Sequence, residues 1–285
     1  MLFRSGGAVD VLSRSIAPKL QEALKQSVII ENRAGNAGVI GMQALARSPG
    51  DGHTIGIGTL SSLAIGPALS KNMGYDVKKD FTLIAMMTEV HIIMAVAPSL
   101  PFDDLKGMVD WAKKNPTKMN YSSNGAGSSG HLVGEMLKRK FGFQAEHVPQ
   151  GGDTPIINSL MGNHMQLGIL AAAPTEPFIR DKRIKAIAVT SERRSPALPQ
   201  VPTLREVGVP DIEASTWFSF TAPAGVPRPV VELLNRELNA AMKTPEVARI
   251  FTTSGLEPIF MSVPDFEKFV SSEQAKWRSE EHTSE

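Results

Sequence analysis

The chain has 285 residues, 42% of them hydrophobic, which is enough for two domains of ordinary size with a core in each. Thirty Lys and Arg residues nearly balance 29 Asp and Glu residues, and no run of about five basic residues occurs, so nucleic-acid binding is not indicated. Cysteine is absent, which excludes disulfides, thiolate metal sites and cysteine nucleophiles. No apolar run approaches the roughly 18 residues that cross a bilayer, which argues against an integral membrane protein.

Strand-like and helix-like segments alternate along the chain. Apolar residues at helical spacing predict helices in several intervals, including one from Val11 to Leu24 and one from Leu105 to Ala112. The clearest predicted strands are residues 28–31, 54–58, 81–86, 92–96, 166–170 and 184–189. Repeated alternation predicts an α/β fold with a mainly parallel sheet, because parallel neighbours need a crossover helix.

Two strand ends share a pattern that suggests a division into domains. The segments V-A-P-S-L-P (96–101) and T-A-P-A-G-V-P (221–227) each end a strand at prolines before a helix. Proline cannot donate to a strand ladder, so both points suit a crossing between domains. The first lobe would then be discontinuous, with residues 1–96 and 223–285, and the second would comprise residues 97–222. Ordinary termination of a strand explains the same prolines equally well.

A glycine and serine turn lies within residues 121–131, between a short predicted strand and a predicted helix. The turn therefore ends at a helix N-terminus, where the first backbone N–H groups have no intrahelical acceptor and the helix dipole favours an anion. Glycines allow close approach of the backbone, and serine hydroxyls supply further donors. The turn predicts a site for a carboxylate or a phosphate.

The same turn contains a G-x-G-x-x-G pattern at Gly125, Gly127 and Gly130. This pattern keeps an NAD-dependent oxidoreductase open as an alternative. The acidic residue expected about 20 positions later could be Glu146, but the chain turns at once into a second glycine loop, H-V-P-Q-G-G (147–152). Two consecutive glycine loops suit a ligand gripped by several helix N-termini better than one extended cofactor.

Catalysis and metal binding are weakly supported. Ser128, Ser129 and His131 could suggest a hydrolase, but neither serine stands in a G-x-S-x-G frame. His131 and Glu135 lie one helical turn apart, without a third and fourth ligand at zinc-like spacing. We predict no enzymatic activity, no metal and no cofactor.

Small-residue turns before helices recur at G-G-A-V-D (6–10), G-N-A-G-V-I-G (35–41) and G-T-L-S-S (58–62). In an open parallel sheet, such turns all lie beyond the carboxyl ends of the strands, where ligands bind. A general preference for small residues in βα turns would explain them too.

The motifs in chain order resemble one family. G-G-A-V-D (6–10), V-I-I-E-N-R-A-G-N-A-G-V-I-G (28–41) and P-G-D-G-H-T (49–54) resemble the G-G-x-x-D, V-x-E-N-R-x-G-A-G-G-x-x-G and D-G-x-T signatures of Bug (TctC-like) receptors. These are the extracytoplasmic solute-binding proteins of tripartite tricarboxylate transporters. The resemblance continues through residues 121–132, 147–152, 188–194, 198–203 and 222–227, and covers nearly the whole chain from Gly6 to Trp277.

The resemblance implies a two-lobed periplasmic-binding-protein (Venus flytrap) fold, in which each lobe is a mainly parallel sheet flanked by helices. The lobes would close on a small carboxylate in the cleft between them and deliver it to membrane transporter subunits. We expect a periplasmic monomer that is not an enzyme. A sensory domain that feeds a kinase would use the same closure and stays an alternative.

The resemblance also implies which residues bind the ligand, largely through backbone N–H groups and bridging waters. One turn would supply Gly7, Ala8 and Asp10. The other would supply Ser122, Ser123, Asn124, Gly127, Ser128, Ser129 and His131. The cleft would also be lined by Ser61 and Ser62 from the first lobe and by Gly151 and Gly152 from the second.

Both ends of the chain depart from the family pattern. The residues F-R-S (3–5) stand where the family has an apolar strand before the first turn, no export signal is visible, and residues 278–285 follow no pattern. We interpret both ends as truncated or foreign sequence, so the missing signal peptide says little about location.

Overall fold

The computed structural model describes residues 8–33, 38–69 and 73–282, and the chain divides into two compact units. The first unit contains the described residues up to Glu89 and again from Trp217, and the second is Val90–Thr216. The unit boundaries thus follow Glu89 and Thr216, and the crossings predicted after residue 96 and before residue 223 lie several residues beyond these boundaries. The prolines end the strands that the chain forms after each crossing, and each of these strands belongs to the unit that it enters.

The helices and strands follow one another throughout the described chain. The helices are α1 (Ala8–Leu24), α2 (Val39–Ala46), a π-helix (Ser61–Ile65), α3 (Gly66–Leu69), α4 (Val77–Asp80), α5 (Leu105–Lys114), α6 (Ser129–Phe141), α7 (Asp153–Met161), α8 (Ala172–Arg180), α9 (Arg228–Lys243), α10 (Pro245–Thr253) and α11 (Val263–His282). The strands are β1 (Gly56–Thr59), β2 (Phe81–Val90), β3 (Ile92–Val96), β4 (Asn120–Ser123), β5 (Glu146–Pro149), β6 (Leu167–Ala171), β7 (Lys185–Val189), β8 (Thr216–Pro223) and β9 (Glu257–Pro258). Among the described helices, none is both long and apolar enough to cross a membrane.

The first unit is built on a sheet with strand order β1-β8-β2-β9. Strand β8 comes from the returning C-terminal segment and pairs antiparallel with β1, and β9 pairs antiparallel with β2. Trp217 at the start of β8 is fully buried, and its ring meets the rings of Phe266 and Phe269 of α11 edge to face. These aromatic contacts stabilise the core through apolar burial together with the edge-to-face geometry that such rings prefer.

The second unit is built on a sheet with strand order β5-β4-β6-β3-β7. Strand β4 pairs parallel with both β5 and β6, whereas β3 pairs antiparallel with both β6 and β7. Helix α7 packs against the sheet through Ile156, Ile157 and Leu160, which join Ile93 and Leu170 in one buried apolar cluster. The four parallel-directed strands β4, β5, β6 and β7 therefore enclose one strand of opposite direction.

The structure confirms the α/β class and, in the second unit, a sheet whose strands mainly share one direction, but it corrects the expectation of a mainly parallel sheet for the first unit. The second unit has four strands in one direction with β3 inserted against them, and the first unit has two antiparallel pairs. The reason is that β3, β8 and β9 pair with strands far away in sequence. Such pairs need no crossover helix, so strand-helix alternation does not set their direction.

One predicted strand is wrong. Residues 28–31 have no strand structure, and the side chain of Ile29 is 87% exposed. A strand needs neighbours that satisfy its backbone groups and cover its apolar face, and the described part of the chain places none beside this segment. The predictions at 54–58, 81–86, 92–96, 166–170 and 184–189 overlap β1, β2, β3, β6 and β7 and are confirmed.

Candidate functional site

The sheet of the second unit has a topological switch point between β4 and β6. From β4 the chain crosses through α6 to β5 on one side, whereas from β6 it crosses through α8 to β7 on the other side. Loops that diverge in this way leave a crevice beyond the carboxyl ends of the two strands, which is where open α/β sheets bind ligands. The strands end there at Ser123 and Ala171.

The glycine and serine turn predicted from the sequence follows β4 and borders this crevice. Gly127 has a φ of 73°, a left-handed conformation that side chains with a Cβ rarely adopt. Gly130, in the first turn of α6, lies so close to β6 that an added Cβ would stand 2.6 Å from the carbonyl oxygen of Ile169. The glycines therefore shape the turn and press the start of α6 onto the neighbouring strand.

Hydroxyl groups lock the turn from inside. Ser123 is fully buried, and its Oγ lies 2.8 Å from Nε2 of His147 and accepts a hydrogen bond from the N–H of Gly125 at 3.3 Å. Ser128 caps α6: its Oγ accepts from the N–H of His131 at 3.3 Å and donates to the carbonyl of Gly125 at 2.7 Å. The two hydroxyls are thus engaged in holding the backbone.

Within residues 125–130, three backbone N–H groups have no acceptor among the described residues. The N–H groups of Gly125, Gly127 and Ser128 are bonded within the turn. By contrast, the N–H groups of Ala126, Ser129 and Gly130 have no acceptor among the residues that the structure describes. Two of the three belong to the first turn of α6, where the helix dipole adds a partial positive charge.

Two stacked histidines stand behind the turn. The His131 and His147 rings stack with centroids 4.1 Å apart, and Nδ1 of His131 accepts a hydrogen bond from the N–H of Gly127 at 3.1 Å. That acceptor role requires an unprotonated Nδ1, so the proton of the neutral ring is on Nε2. Burial lowers the pKa of His131, and burial together with the neighbouring His131 lowers the pKa of His147 to about 4. Both rings are therefore neutral at pH 7.

Tyr121, Glu135 and Lys138 complete the support. The buried Tyr121 stacks on His147 at 4.9 Å and donates from its hydroxyl to Oε1 of Glu135 at 2.6 Å. Lys138 forms an ion pair with the same carboxylate at 2.8 Å. Burial alone would raise the pKa of Glu135, but the bonds from Lys138 and Tyr121 lower it overall. Glu135 therefore has a structural role, and its carboxylate neutralises the charge of Lys138.

The second predicted glycine loop follows β5 and joins the same crevice. Gln150 donates from Nε2 to the Oγ of Ser122 at 3.0 Å, which ties this loop to the buried end of β4. Gly152 precedes α7, whose first residue, Asp153, accepts at Oδ1 from Nδ2 of Asn124 at 3.0 Å. The structure therefore brings together the predicted residues of the second unit, Ser122, Ser123, Asn124, Gly127, Ser128, Ser129, His131, Gly151 and Gly152.

Three residues of this arrangement were not predicted from the sequence: His147, Gln150 and Asp153. His147 and Gln150 stand in the loop motif that contains Gly151 and Gly152, but nothing local shows that they reach back to Ser123 and Ser122. Asp153 directly follows the paired glycines, and an acidic residue in a first helical turn is explained by the dipole alone. Pairing between β4 and β5 brings them together, and that pairing is a long-range contact.

The described predicted residues of the first unit lie in two of its helices, α1 and the π-helix. Gly7 falls outside the described residues, and the side chain of Ala8, where α1 begins, is not described. Asp10 is 3% exposed, and its Oδ1 accepts from Nε of Arg14 and from Nδ2 of Asn32, each at 2.9 Å. Its side chain therefore anchors the start of α1 to the segment that carries Asn32.

The predicted serines of the first unit differ from each other. Ser62 is fully buried, and its Oγ accepts from the N–H of Thr59 at 3.0 Å while its own N–H donates to Oγ1 of Thr59 at 3.2 Å. Ser61 is half-buried at the start of the π-helix. The hydroxyl of Ser62 thus closes its own turn.

The geometry offers little to the other ligand classes considered from the sequence. Across the described ranges, no group of three or more His, Asp or Glu residues is arranged to hold a metal ion. In the G-x-G-x-x-G segment, the N–H of Gly127 is committed to His131. Ser128 and Ser129 are engaged at the start of α6, the first as its cap and the second as its first residue.

Comparison with known proteins agrees with the sequence resemblance. The model of the family described as "Tripartite tricarboxylate transporter family receptor" matches residues 12–280. The protein BugT of Bordetella pertussis is 32% identical over 276 residues, which cover 96% of this chain and 85% of BugT.

Three solved structures share the fold over almost the whole chain. R. palustris Rpa4515, solved with adipate, is 33% identical with a TM-score of 0.87, and the alignment covers 98% of this chain and 93% of that one. MatC from Rhodopseudomonas palustris, with bound malate, is 26% identical with a TM-score of 0.87, over 98% of this chain and 96% of that one. The periplasmic binding protein BugD is 30% identical with a TM-score of 0.86, over 97% of this chain and 93% of that one, which confirms the expected periplasmic-binding-protein fold. The chain belongs to the family of tripartite tricarboxylate transporter receptors, which are solute-binding proteins and not enzymes.

Proposed function

We propose that this chain is a periplasmic receptor that binds a small carboxylate at the turn after β4 and presents it, as a monomer, to the membrane subunits of a tripartite transporter. The observation that carries the proposal is the set of three N–H groups, those of Ala126, Ser129 and Gly130, which have no acceptor among the described residues, whereas the N–H groups of Gly125, Gly127 and Ser128 are bonded within the turn. Unsatisfied donors at a helix N-terminus beside a switch-point crevice suit an anion.

The charge of the site favours a carboxylate that is held by partial charges. The histidine pair is neutral at pH 7 because burial lowers the pKa of both rings, and Lys138 is paired with Glu135. Charge-assisted hydrogen bonds from backbone N–H groups to a carboxylate contribute about 1.5–3 kcal/mol each. Two or three such bonds support reversible binding, which a receptor that must release its ligand requires.

The similar proteins support the same ligand class. Rpa4515 was solved with adipate and MatC with malate, and both ligands are small dicarboxylates. We propose that the predicted residues of the first unit, Gly7, Ala8, Asp10, Ser61 and Ser62, also contribute to carboxylate binding. Within this family an NAD-dependent oxidoreductase is not favoured.

The test removes one N–H donor without removing the helix. Ser129 is the first residue of α6, and proline is well tolerated at that position because its missing N–H has no intrahelical partner. The preceding residue, Ser128, has φ −75° and ψ 157°, which also suits a following proline. We expect Ser129→Pro to weaken carboxylate binding by at least about tenfold, measured by titration calorimetry with adipate, malate, succinate and citrate.

Ser129→Ala is the matched control, because it removes the hydroxyl and keeps the N–H. It should bind the same carboxylate with nearly unchanged affinity, and both variants should unfold thermally near the wild type. The proposal fails if the folded wild-type protein binds no carboxylate, or if Ser129→Pro binds as tightly as Ser129→Ala.

A further inference from the structure

One carboxylate of this chain lies inside the switch-point crevice. Asp153 is the first residue of α7, and its Oδ1 accepts from Nδ2 of Asn124 at 3.0 Å and from the backbone N–H of Ala171 at 3.2 Å. Asn124 belongs to the turn after β4, and Ala171 is the last residue of β6. The Asp153 carboxylate therefore bridges the two strand ends that diverge at the switch point, and its partner Asn124 belongs to the same turn as the N–H groups assigned to the ligand carboxylate.

Among the residues that the structure describes, none supplies a countercharge to this carboxylate. Both hydrogen bonds go to Oδ1, and among the described residues Oδ2 receives no donor and no Lys, Arg or His forms an ion pair with Asp153. Asp153 is half-buried, and this burial raises the pKa of its carboxyl against the smaller opposing effect of the bonds from Asn124 and Ala171. A carboxylate that loses hydration without gaining a cationic partner is costly, and a donor on a bound ligand would offset that cost.

The side chain of Asp153 is held more firmly than an acidic residue at a helix start needs to be. A first-turn acid that only complements the dipole can extend into water. Asp153 is instead held across the crevice by a side chain from one turn and a backbone group from another, and this fixes the direction of its free oxygen. A fixed, unpaired acceptor can discriminate between ligands, because a ligand that lacks the matching donor leaves a desolvated charge unpaired.

We propose that Asp153 is the specificity-determining residue of the second unit, and that it selects small carboxylates that carry a hydrogen-bond donor, best an ammonium group, next to the carboxylate bound at the turn after β4. This inference rests on the proposed function and names the substrate class of the same site. An ammonium group gives a charge-assisted bond to Oδ2, and a hydroxyl gives a weaker one. A second carboxylate that approaches Oδ2 is repelled, so an unsubstituted diacid is disfavoured.

The test compares ligands that differ only in the donor. Succinate, malate and aspartate form one series with no substituent, a hydroxyl and an ammonium group, and glutarate, 2-hydroxyglutarate and glutamate form a second series one carbon longer. In the series that fits, calorimetry at pH 7.5 should give the order ammonium, hydroxyl, unsubstituted. We expect at least a tenfold difference in Kd between the first and the last.

Asp153→Asn is the variant of choice, because its amide oxygen can still accept from Asn124 and from the N–H of Ala171. In this variant, the Kd of the unsubstituted diacid should exceed that of the ammonium ligand by less than about threefold, because the ammonium ligand binds more weakly and the diacid binds more tightly. Asp110→Asn is the matched control: it removes an exposed carboxylate from α5, where Asp110 pairs with Lys106, and should keep the wild-type ratio.

The outcomes separate this inference from the function on which it rests. If the folded wild-type protein binds neither series, the proposed function and the inference both fail. If the wild-type protein binds the unsubstituted diacid at least as tightly as the ammonium ligand, only the role of Asp153 fails. The same conclusion follows if Asp153→Asn binds carboxylates with an unchanged ratio. A purely structural Asp153 would alter thermal stability and leave that ratio untouched.

Discussion

The turn from Thr59 to Ser62 in the first unit and the turn from Ser123 to His131 in the second use buried serines in different ways. In the first, the side chain of each of Ser62 and Thr59 accepts from the backbone N–H of the other. In the second, Ser123 and Ser128 bond to their own turn, and the N–H groups of Ala126, Ser129 and Gly130 have no described acceptor.

The difference shows that a serine-rich turn does not bind through its serines by default. In both units the hydroxyl of the buried serine fixes backbone shape, and in the second turn the N–H groups of Ala126, Ser129 and Gly130 have no acceptor among the described residues. The glycines of the second turn make this possible, because Gly127 takes a conformation that points successive N–H groups in different directions and Gly130 lets α6 begin close to β6. Three changes test the comparison, in order of decreasing expected effect.

The largest effect is expected from Gly130→Ala. The new Cβ would stand 2.6 Å from the backbone oxygen of Ile169 and 3.2 Å from the Cβ of Ser123, so α6 must move away from β6. We expect the free energy of unfolding to fall by about 2–3 kcal/mol, the upper part of the range for overpacking, because a backbone atom cannot rotate aside. Urea unfolding followed by circular dichroism measures this change.

Ala126→Val is the control, since Ala126 is exposed in the same turn. It adds more volume than Gly130→Ala but should change stability by less than about 0.5 kcal/mol. Equal stability of Gly130→Ala and the wild type would show that α6 is not pressed against β6, and the account of how the turn is shaped would be wrong.

A smaller effect is expected from the matched pair Ser123→Ala and Ser62→Ala. Each removes a fully buried hydroxyl that bonds a turn, so each should lower the free energy of unfolding by about 1–2 kcal/mol. In addition, Ser123→Ala should weaken carboxylate binding, because Gly125 loses an acceptor and the N–H groups at the start of α6 lose their fixed geometry.

Urea unfolding and calorimetry on both variants measure the two effects separately. If Ser123→Ala loses stability but keeps full affinity for the carboxylate, the hydroxyl supports the fold alone. The second turn would then be no more specialised for binding than the first.

The smallest effect concerns pH, because the histidine pair is only partly buried. Burial and the neighbouring His131 lower the pKa of His147 from 6.5 to about 4, so the unfolded chain binds its proton at a higher pH than the folded one. The contribution of this pair to stability is therefore complete above about pH 6.5 and decreases as the pH falls towards 4. The turn of the first unit is bonded by the hydroxyls of Thr59 and Ser62, which do not change protonation in this pH range.

Unfolding midpoints in urea at pH 7, 5.5 and 4 check this prediction. His147→Gln is the control, because glutamine does not titrate and its amide can still bond to Ser123. The loss of stability between pH 7 and 4 should be smaller in the variant than in the wild type. Identical pH dependence in the two proteins would mean that the stacked rings do not control protonation in this turn.

Much of the candidate site could be predicted because its signals are local. A run of glycine and serine between a strand pattern and a helical pattern identified the turn, and Ser128 proved to be the helix cap. The availability of particular N–H groups could not be predicted. It depends on which side chains reach back to the turn. Nδ1 of His131, for example, accepts from the N–H of Gly127 only because the His131 ring has the right orientation.

The sequence by itself determined the order of helices and strands, the turn after β4 and the family, because apolar periodicity, small residues and motif order are properties of neighbouring positions. It did not determine the direction of β3, the stacking of His147 on His131 or the bridge from Asp153 to Asn124 and Ala171. The direction of β3 is set by its antiparallel pairing with β6 and β7. The other two features arise when β4, β5 and β6 pair side by side. Only that pairing brings residues separated by 16 to 29 positions within hydrogen-bonding or stacking distance of one another.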